Sequence, residues 1–421
     1  MFCTTIMKFN RLKKSKTHTM NFWMLSILTL LIGTCKPPQE SHTFLVPHIV
    51  KDSTEIIVGA ERLGKYLPLL QGKKIGVVCN QTSLIGSQHL VDSLLKMDVN
   101  IVSIFSPEHG IRGNADAGES VQSSIDPVTK IPIISLYGDH KKPTKDDLAD
   151  LDIIVFDIQD VGVRFYTYIS TLHYVMESCA EQGKSIIVLD RPNPNGYFVD
   201  GPILDQAFTS FVGMHPVPVV YGMTIGEYAR MINGENWLHQ GMQADLTVIE
   251  LKNYSLSTFY ELPVRPSPNL PEMRAILLYP STCFFEGTTL SLGRGTDKPF
   301  QYIGHPSIQS EFSFIPMPNF GSKHPPQEGK KCFGSDLSHV TLGSIMDKKG
   351  LDLSLLLKYY KEINAQGETF FLKNNFFDKL AGSDALRKQI VEGKNEAEIR
   401  ASWQPDLARF QKIRAKYLLY N

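Results

Sequence analysis

A dominant sign of charge is missing from this chain: 43 lysines and arginines offset 43 aspartates and glutamates, for a formal net charge of +0. No long-range field would gather nucleic acid or an anionic bilayer, so neither is an expected partner. Cysteine is sparse as well, at 6 in 421 residues. Cys79, Cys179, Cys283 and Cys332 lie far apart without a C-x-x-C pair. That spacing indicates neither a zinc site nor a disulfide framework, and the thiols read as small buried apolar groups. No G-x-G-x-x-G follows the first strand-like run, and G-x-x-x-x-G-K-[ST] is not met, which disfavours nucleotide binding. Internal repeats and long low-complexity segments are also lacking.

What is present begins with a distinct leader. Lys8, Arg11, Lys13, Lys14 and Lys16 precede an apolar run from Phe22 to Ile32, followed by Gly33, Thr34 and Cys35. The run is short for a membrane span and reads as an export signal. Cys35, directly after small residues, resembles the lipid-acceptor position of a bacterial lipoprotein, although Thr34 is a poor fit before it; simple secretion with cleavage nearby is the alternative. The expected organisation is a signal at 1–35, a polar tether at 36–53 and an exported, periplasmic or outer-membrane-associated protein. Its membrane contact would then be the lipid on Cys35.

From Lys74 onward, short apolar runs alternate with amphipathic stretches. The runs cover 75–79, 99–105, 131–136, 152–157, 185–190 and 245–250, with helices expected over 88–97, 168–182 and 224–233, the last capped by Thr224 with Glu227 three residues on. Such alternation predicts an α/β fold with a Rossmann-like, mostly parallel sheet covered on both faces. The proline-dense stretch 262–271 forbids regular helix or central strand. It marks the boundary between a catalytic domain at 54–262 and a smaller α+β domain at 263–421, with a further helix expected at 272–278 and a charged helical tail near 384–420.

Several of these strands end in polar side chains: Asn80, then Glu108 and His109, then Asp157, Gln159, Asp160 and Arg164, then Asp190, Arg191, Asn193 and Asn195. In a parallel sheet these carboxyl ends share one edge, where open α/β proteins bind ligands. Glu108 is the leading candidate for a catalytic acid, since an acid between Pro107 and Gly110 sits in neither a helix face nor a strand. Asp157 and Asp190 are equally compatible with caps or turn formers. Phe165, Tyr166 and Tyr168 are either core residues or a platform for a sugar ring. Arg294, flanked by Gly293 and Gly295, suits the clamping of a carboxylate by paired hydrogen bonds.

The motifs Ser106–Gly113, Phe156–Tyr168, Asp190–Pro194, Ser267–Pro271, Glu286–Thr288 and Gly293–Thr296, with the closing stretch Ser402–Tyr420, together resemble the NamZ-type exo-β-N-acetylmuramidases, from about Gly59 to the end. The resemblance implies a cleft between the two domains and removal of N-acetylmuramic acid (MurNAc) from the non-reducing end of peptidoglycan fragments, with no cofactor. It maps the catalytic glutamate onto Glu108. The second group stays open among Asp160, Asp157, Glu286 and the substrate's own N-acetyl oxygen. MurNAc carries a lactyl carboxylate that N-acetylglucosamine (GlcNAc) lacks, for which Arg294, Arg164 and Arg112 are candidates in that order. His109, Tyr166, Tyr168, Asp190, Asn193, Asn269 and Glu286 complete the expected substrate contacts. Two other readings compete: a metal-dependent envelope hydrolase or phosphoesterase using His109, Asp157 and Asp160 as ligands, and a non-catalytic muropeptide-binding lipoprotein.

Overall fold

The computed structural model describes residues 54–108, 110–111 and 124–420. The leader, Cys35 and the tether lie outside these residues. Among the described residues no helix is long and apolar enough to cross a membrane.

After α1 (Leu63–Leu70) come β1 (Ile75–Cys79), a hairpin of β2 (Leu84–Ile85) and β3 (Gln88–His89), α2 (Leu90–Leu95), β4 (Ile101–Ser106), β5 (Ser124–Ile125) and β6 (Pro132–Ser135). Then follow α3 (Lys145–Leu148), β7 (Ile153–Asp157), α4 (Tyr168–Gln182), β8 (Ser185–Leu189), α5 (Ile225–Gly234) and β9 (Asp245–Ile249). The main sheet has the order β5-β6-β4-β1-β7-β8-β9, and every pairing in it is parallel except that of β5 with β6. Setting β5 aside, this is the doubly wound order in which the chain builds outward from β1 on one side, then on the other. It leaves a crevice at the carboxyl ends of β1 and β7, where the direction reverses.

Alternate residues of each strand feed opposite faces. Val77, Val155 and Ile187 enter one core with α1 and α2; Val78, Ile154, Phe156 and Val188 enter the other with α4 and α5. That second core continues without a break into the carboxyl-terminal part. There a three-stranded antiparallel sheet, from β10 (Tyr302–His305), β11 (Ser313–Phe314) and β12 (Cys332–Asp336), joins α6 (Met273–Thr282), α7 (Leu342–Asp347), α8 (Ser354–Ala365), α9 (Phe376–Ala381), α10 (Ala385–Val391) and α11 (Glu396–Arg414). The fold is therefore α/β with a smaller mixed second part.

One local reading needs adjustment. The helix expected over 88–97 begins later, because Gln88 and His89 pair back with Ile85 and Leu84 across a turn at Gly86, and the His89 ring then caps α2. The stretch after Thr224 does form the expected capping box: Glu227 N donates to Thr224 Oγ1 at 3.2 Å, and Thr224 N donates to Glu227 Oε2 at 2.9 Å.

Candidate active site

Three strands on both sides of β1 deliver one side chain each to the same point. Glu108 follows β4, Tyr137 follows β6, and Thr167 caps α4 at the end of the loop after β7. Tyr137 donates its hydroxyl to Glu108 Oε1 at 2.9 Å, and Thr167 Oγ1 donates to Oε2 at 3.2 Å. Pro107 ends the strand, and Gly110, with φ of 73°, closes a turn back to the Pro107 carbonyl. The carboxyl is thereby held half-buried rather than trailing into solvent.

Glu108 lines a cleft of about 380 Å³. From the sheet side come Tyr137, Phe165, Tyr166, Thr167 and Tyr168; from the later part of the chain come Asn269, Tyr279, Glu286, Arg294 and Phe300. Its volume is that of a small-ligand pocket, and its lining mixes aromatic faces with few polar groups, as such sites do. Tyr166 and Tyr168 meet edge to face at 4.8 Å, and Tyr279 stands edge-on to Phe165 and Phe300 at 5.3 and 4.9 Å. Both tyrosine hydroxyls of the 166–168 segment donate to the Pro266 carbonyl, at 2.9 and 3.4 Å. Burial, and after it the charge of Glu108, pushes the Tyr168 phenol well above its ordinary value.

Elsewhere in the lining, Arg294 Nη2 donates to Glu286 Oε1 at 2.5 Å, and its guanidinium lies 5.2 Å from the Phe300 ring centre. Burial opposes the charge on Arg294, but Glu286 outweighs it and holds the guanidinium above its ordinary pKa. The flanking glycines serve the turn itself. Gly293 and Gly295 have φ of 77° and 79°, and a Cβ on either would stand 2.6 Å from Lys298 O or Pro325 Cγ.

Of the expected site residues, Glu108, Tyr166, Tyr168, Asn269, Glu286 and Arg294 come together in this cleft. Several others do not, and each is corrected by its own hydrogen bonds. Asp157 is fully buried and spends both oxygens on Arg191, at 2.6 and 2.8 Å. Asp190 accepts from Arg191 N, Thr224 Oγ1, Gly226 N and Tyr420 Oη. Asn193 donates to Met223 O and accepts from Asn195 N, a turn-forming role. Arg164 has no solvent exposure and donates to the carbonyls of Pro202, Val217 and Leu380. Asp160 is buried off the cleft lining, where Gly162 N and Tyr221 Oη bind its Oδ2. Desolvation raises its pKa to about 6, against the lowering effect of those bonds. His109 and Arg112 lie outside the described residues.

Asp157 is thus committed to Arg191 through both oxygens and Asp160 to Gly162 and Tyr221 through Oδ2 alone, and among the described residues no group of three or more His, Cys, Asp and Glu side chains is arranged to hold a metal ion. Tyr137 and Thr167 escaped sequence reasoning. Tyr137 does follow an apolar run at a strand end, the signal that singled out Glu108. Thr167 sits inside the 156–168 motif, between two tyrosines that drew the attention.

Comparison with known proteins identifies the family. Residues 75–274 match the family model described as exo-beta-N-acetylmuramidase NamZ, N-terminal, and residues 277–420 match its C-terminal counterpart. The chain is 40% identical over 414 residues to the peptidoglycan beta-N-acetylmuramidase NamZ of Bacillus subtilis (strain 168), covering 93% of this chain and 96% of that protein. Two crystal structures of DUF1343 family proteins from Bacteroides fragilis NCTC 9343 superpose with TM-scores of 0.81 and 0.73, at 48% and 27% identity. Each covers 87% of this chain, against 99% and 100% of theirs.

Proposed function

The chain belongs to the NamZ exo-β-N-acetylmuramidase family, and on that premise we propose that Glu108 is the proton donor with which it cuts MurNAc from the non-reducing ends of peptidoglycan fragments. It is a glycoside hydrolase acting on peptidoglycan-derived saccharides. The observation that carries the assignment of Glu108 is its place: a half-buried carboxyl, held through both oxygens, facing a sugar-sized cleft lined from both parts of the chain. As the bond between C1 and the glycosidic oxygen breaks, the Glu108 proton passes to that oxygen; water supplies the hydroxyl that ends on C1, and the proton it gives up to solvent balances the one that restores Glu108.

Arg294 is the residue proposed to recognise the lactyl carboxylate. It lines the same cleft as Glu108, and its bond to Glu286 runs through Nη2. A guanidinium lost from a charged pair forfeits about 1.5–3 kcal/mol, or about 10- to 100-fold in rate. Wild type should therefore hydrolyse a β-MurNAc glycoside in strong preference to its GlcNAc analogue, and Arg294→Gln should erase most of that preference. Equal turnover of the two sugars by the wild type would defeat the carboxylate clamp.

We propose further that the basic, apolar leader exports the chain and that Cys35 carries a lipid anchor, placing the enzyme in the periplasm or at the outer membrane. Support comes from the sequence of residues 8–35.

A further inference from the structure

Three exposed apolar side chains, Ile315, Met317 and Phe320, fall on one loop, and that loop is stitched to two segments that line the cleft. Met317 N donates to Gly295 O at 2.9 Å and Asn319 Nδ2 to Thr296 O at 3.0 Å, beside Arg294. Asn269 of the cleft donates its amide to Gly321 O at 2.6 Å. Asn319 and Ser322 exchange backbone bonds at 3.0 and 3.1 Å, and Gly321, with φ of 98°, fills the third position of the turn between them. Such a turn displays its second residue, Phe320, at the tip.

Phe320 keeps 51% of its surface exposed on a loop that three hydrogen bonds tie to the cleft-lining segments. One side of the ring meets a cation: the Arg265 guanidinium lies 5.3 Å from the ring centre. Arg265 is anchored from the sheet side, where Gln81 Nε2 donates to the carbonyls of Arg265 and Pro266. An aromatic ring held open beside a saccharide cleft, with a cation steadying it, has the chemistry to stack against the apolar face of a pyranose.

We propose that Phe320, backed by Arg265, is the platform for the leaving-group side of the substrate, the GlcNAc residue released when terminal MurNAc is removed. The proposal rests on the muramidase reading above. An exo-acting enzyme encloses the terminal sugar and must let the rest of the fragment emerge at the cleft mouth. Among the described residues, the 315–322 loop is an exposed feature hydrogen-bonded to both cleft-lining segments, and it offers Phe320 to the departing saccharide. Its neutral GlcNAc ring matches an uncharged aromatic face, whereas the lactyl carboxylate of the terminal sugar matches the charged wall inside.

The test compares kcat/KM on the disaccharide MurNAc-GlcNAc with that on β-MurNAc fluoride, whose leaving group reaches no farther than the cleft. In Phe320→Ala the ratio of disaccharide to fluoride should fall about tenfold, the loss expected for one stacking contact, mostly through KM. Phe320→Trp should restore the ratio. An unchanged ratio in Phe320→Ala, or a parallel decline on both substrates, overturns the platform while leaving the muramidase reading intact. A wild type that releases MurNAc from neither substrate overturns both.

Discussion

Asp160 carries a carboxyl at nearly complete burial, its Oδ2 bound by Gly162 N and Tyr221 Oη and its pKa pushed by desolvation from 3.8 to about 6. Because the folded value lies above the unfolded one, the unfolded chain releases this proton first as pH rises. The group's contribution to stability is therefore fully present below about pH 4, is lost between about pH 4 and 6, and is level above that. Asp160→Asn keeps an acceptor for Tyr221 but cannot ionise. In denaturant titrations, stability relative to this variant should decline for the wild type by on the order of 3 kcal/mol between pH 4 and 6. Identical pH dependence in the two proteins would refute the buried titration. At this scale the strand-end position of Glu108, which the fold places in the cleft, was legible in the sequence, but the fate of its neighbours was not. Asp157, Asp160 and Asp190 end strands or loops just as Glu108 does, and only the fold shows that Arg191, Tyr221 and Tyr420 come from elsewhere to occupy them.

The parallel strands were legible, though not their order in the sheet, because a buried parallel strand is a continuous apolar run, and α4 spans the expected 168–182. Short elements were less so. The β2–β3 hairpin borrows the first residues of what reads as an amphipathic helix, and its register depends on a turn at Gly86 that periodicity does not encode. The far end of the chain acts on an early element: Leu419 N and Tyr420 N donate to Glu227 Oε1, so the last residues tie down the start of α5. The leader is the element whose role is read from composition alone. Cys35→Ala should shift the protein from the membrane to the soluble fraction and abolish labelling by a radioactive fatty acid; persistent membrane labelling of the variant would contradict lipidation at Cys35.

Across the whole molecule, one apolar core runs from Val78 in the central strand to Phe410 in α11, and the cleft opens where the parts on either side of the proline-dense crossing meet. Arg164 is part of that union, joining the loop after β7 to Leu380 of α9, a use of a buried guanidinium that a reading of its motif alone assigned to substrate. On the proposed function, this assembly presents Glu108 as a proton donor to a glycosidic oxygen. The most direct measurement is the rate of Glu108→Gln relative to wild type on two MurNAc glycosides, one with GlcNAc and one with 2,4-dinitrophenolate as leaving group. A sugar alkoxide needs a proton to depart and the phenolate does not. The variant should lose at least about a hundredfold on the disaccharide and far less on the dinitrophenyl glycoside. Equal losses on both substrates, or an undiminished rate on the disaccharide, would contradict it.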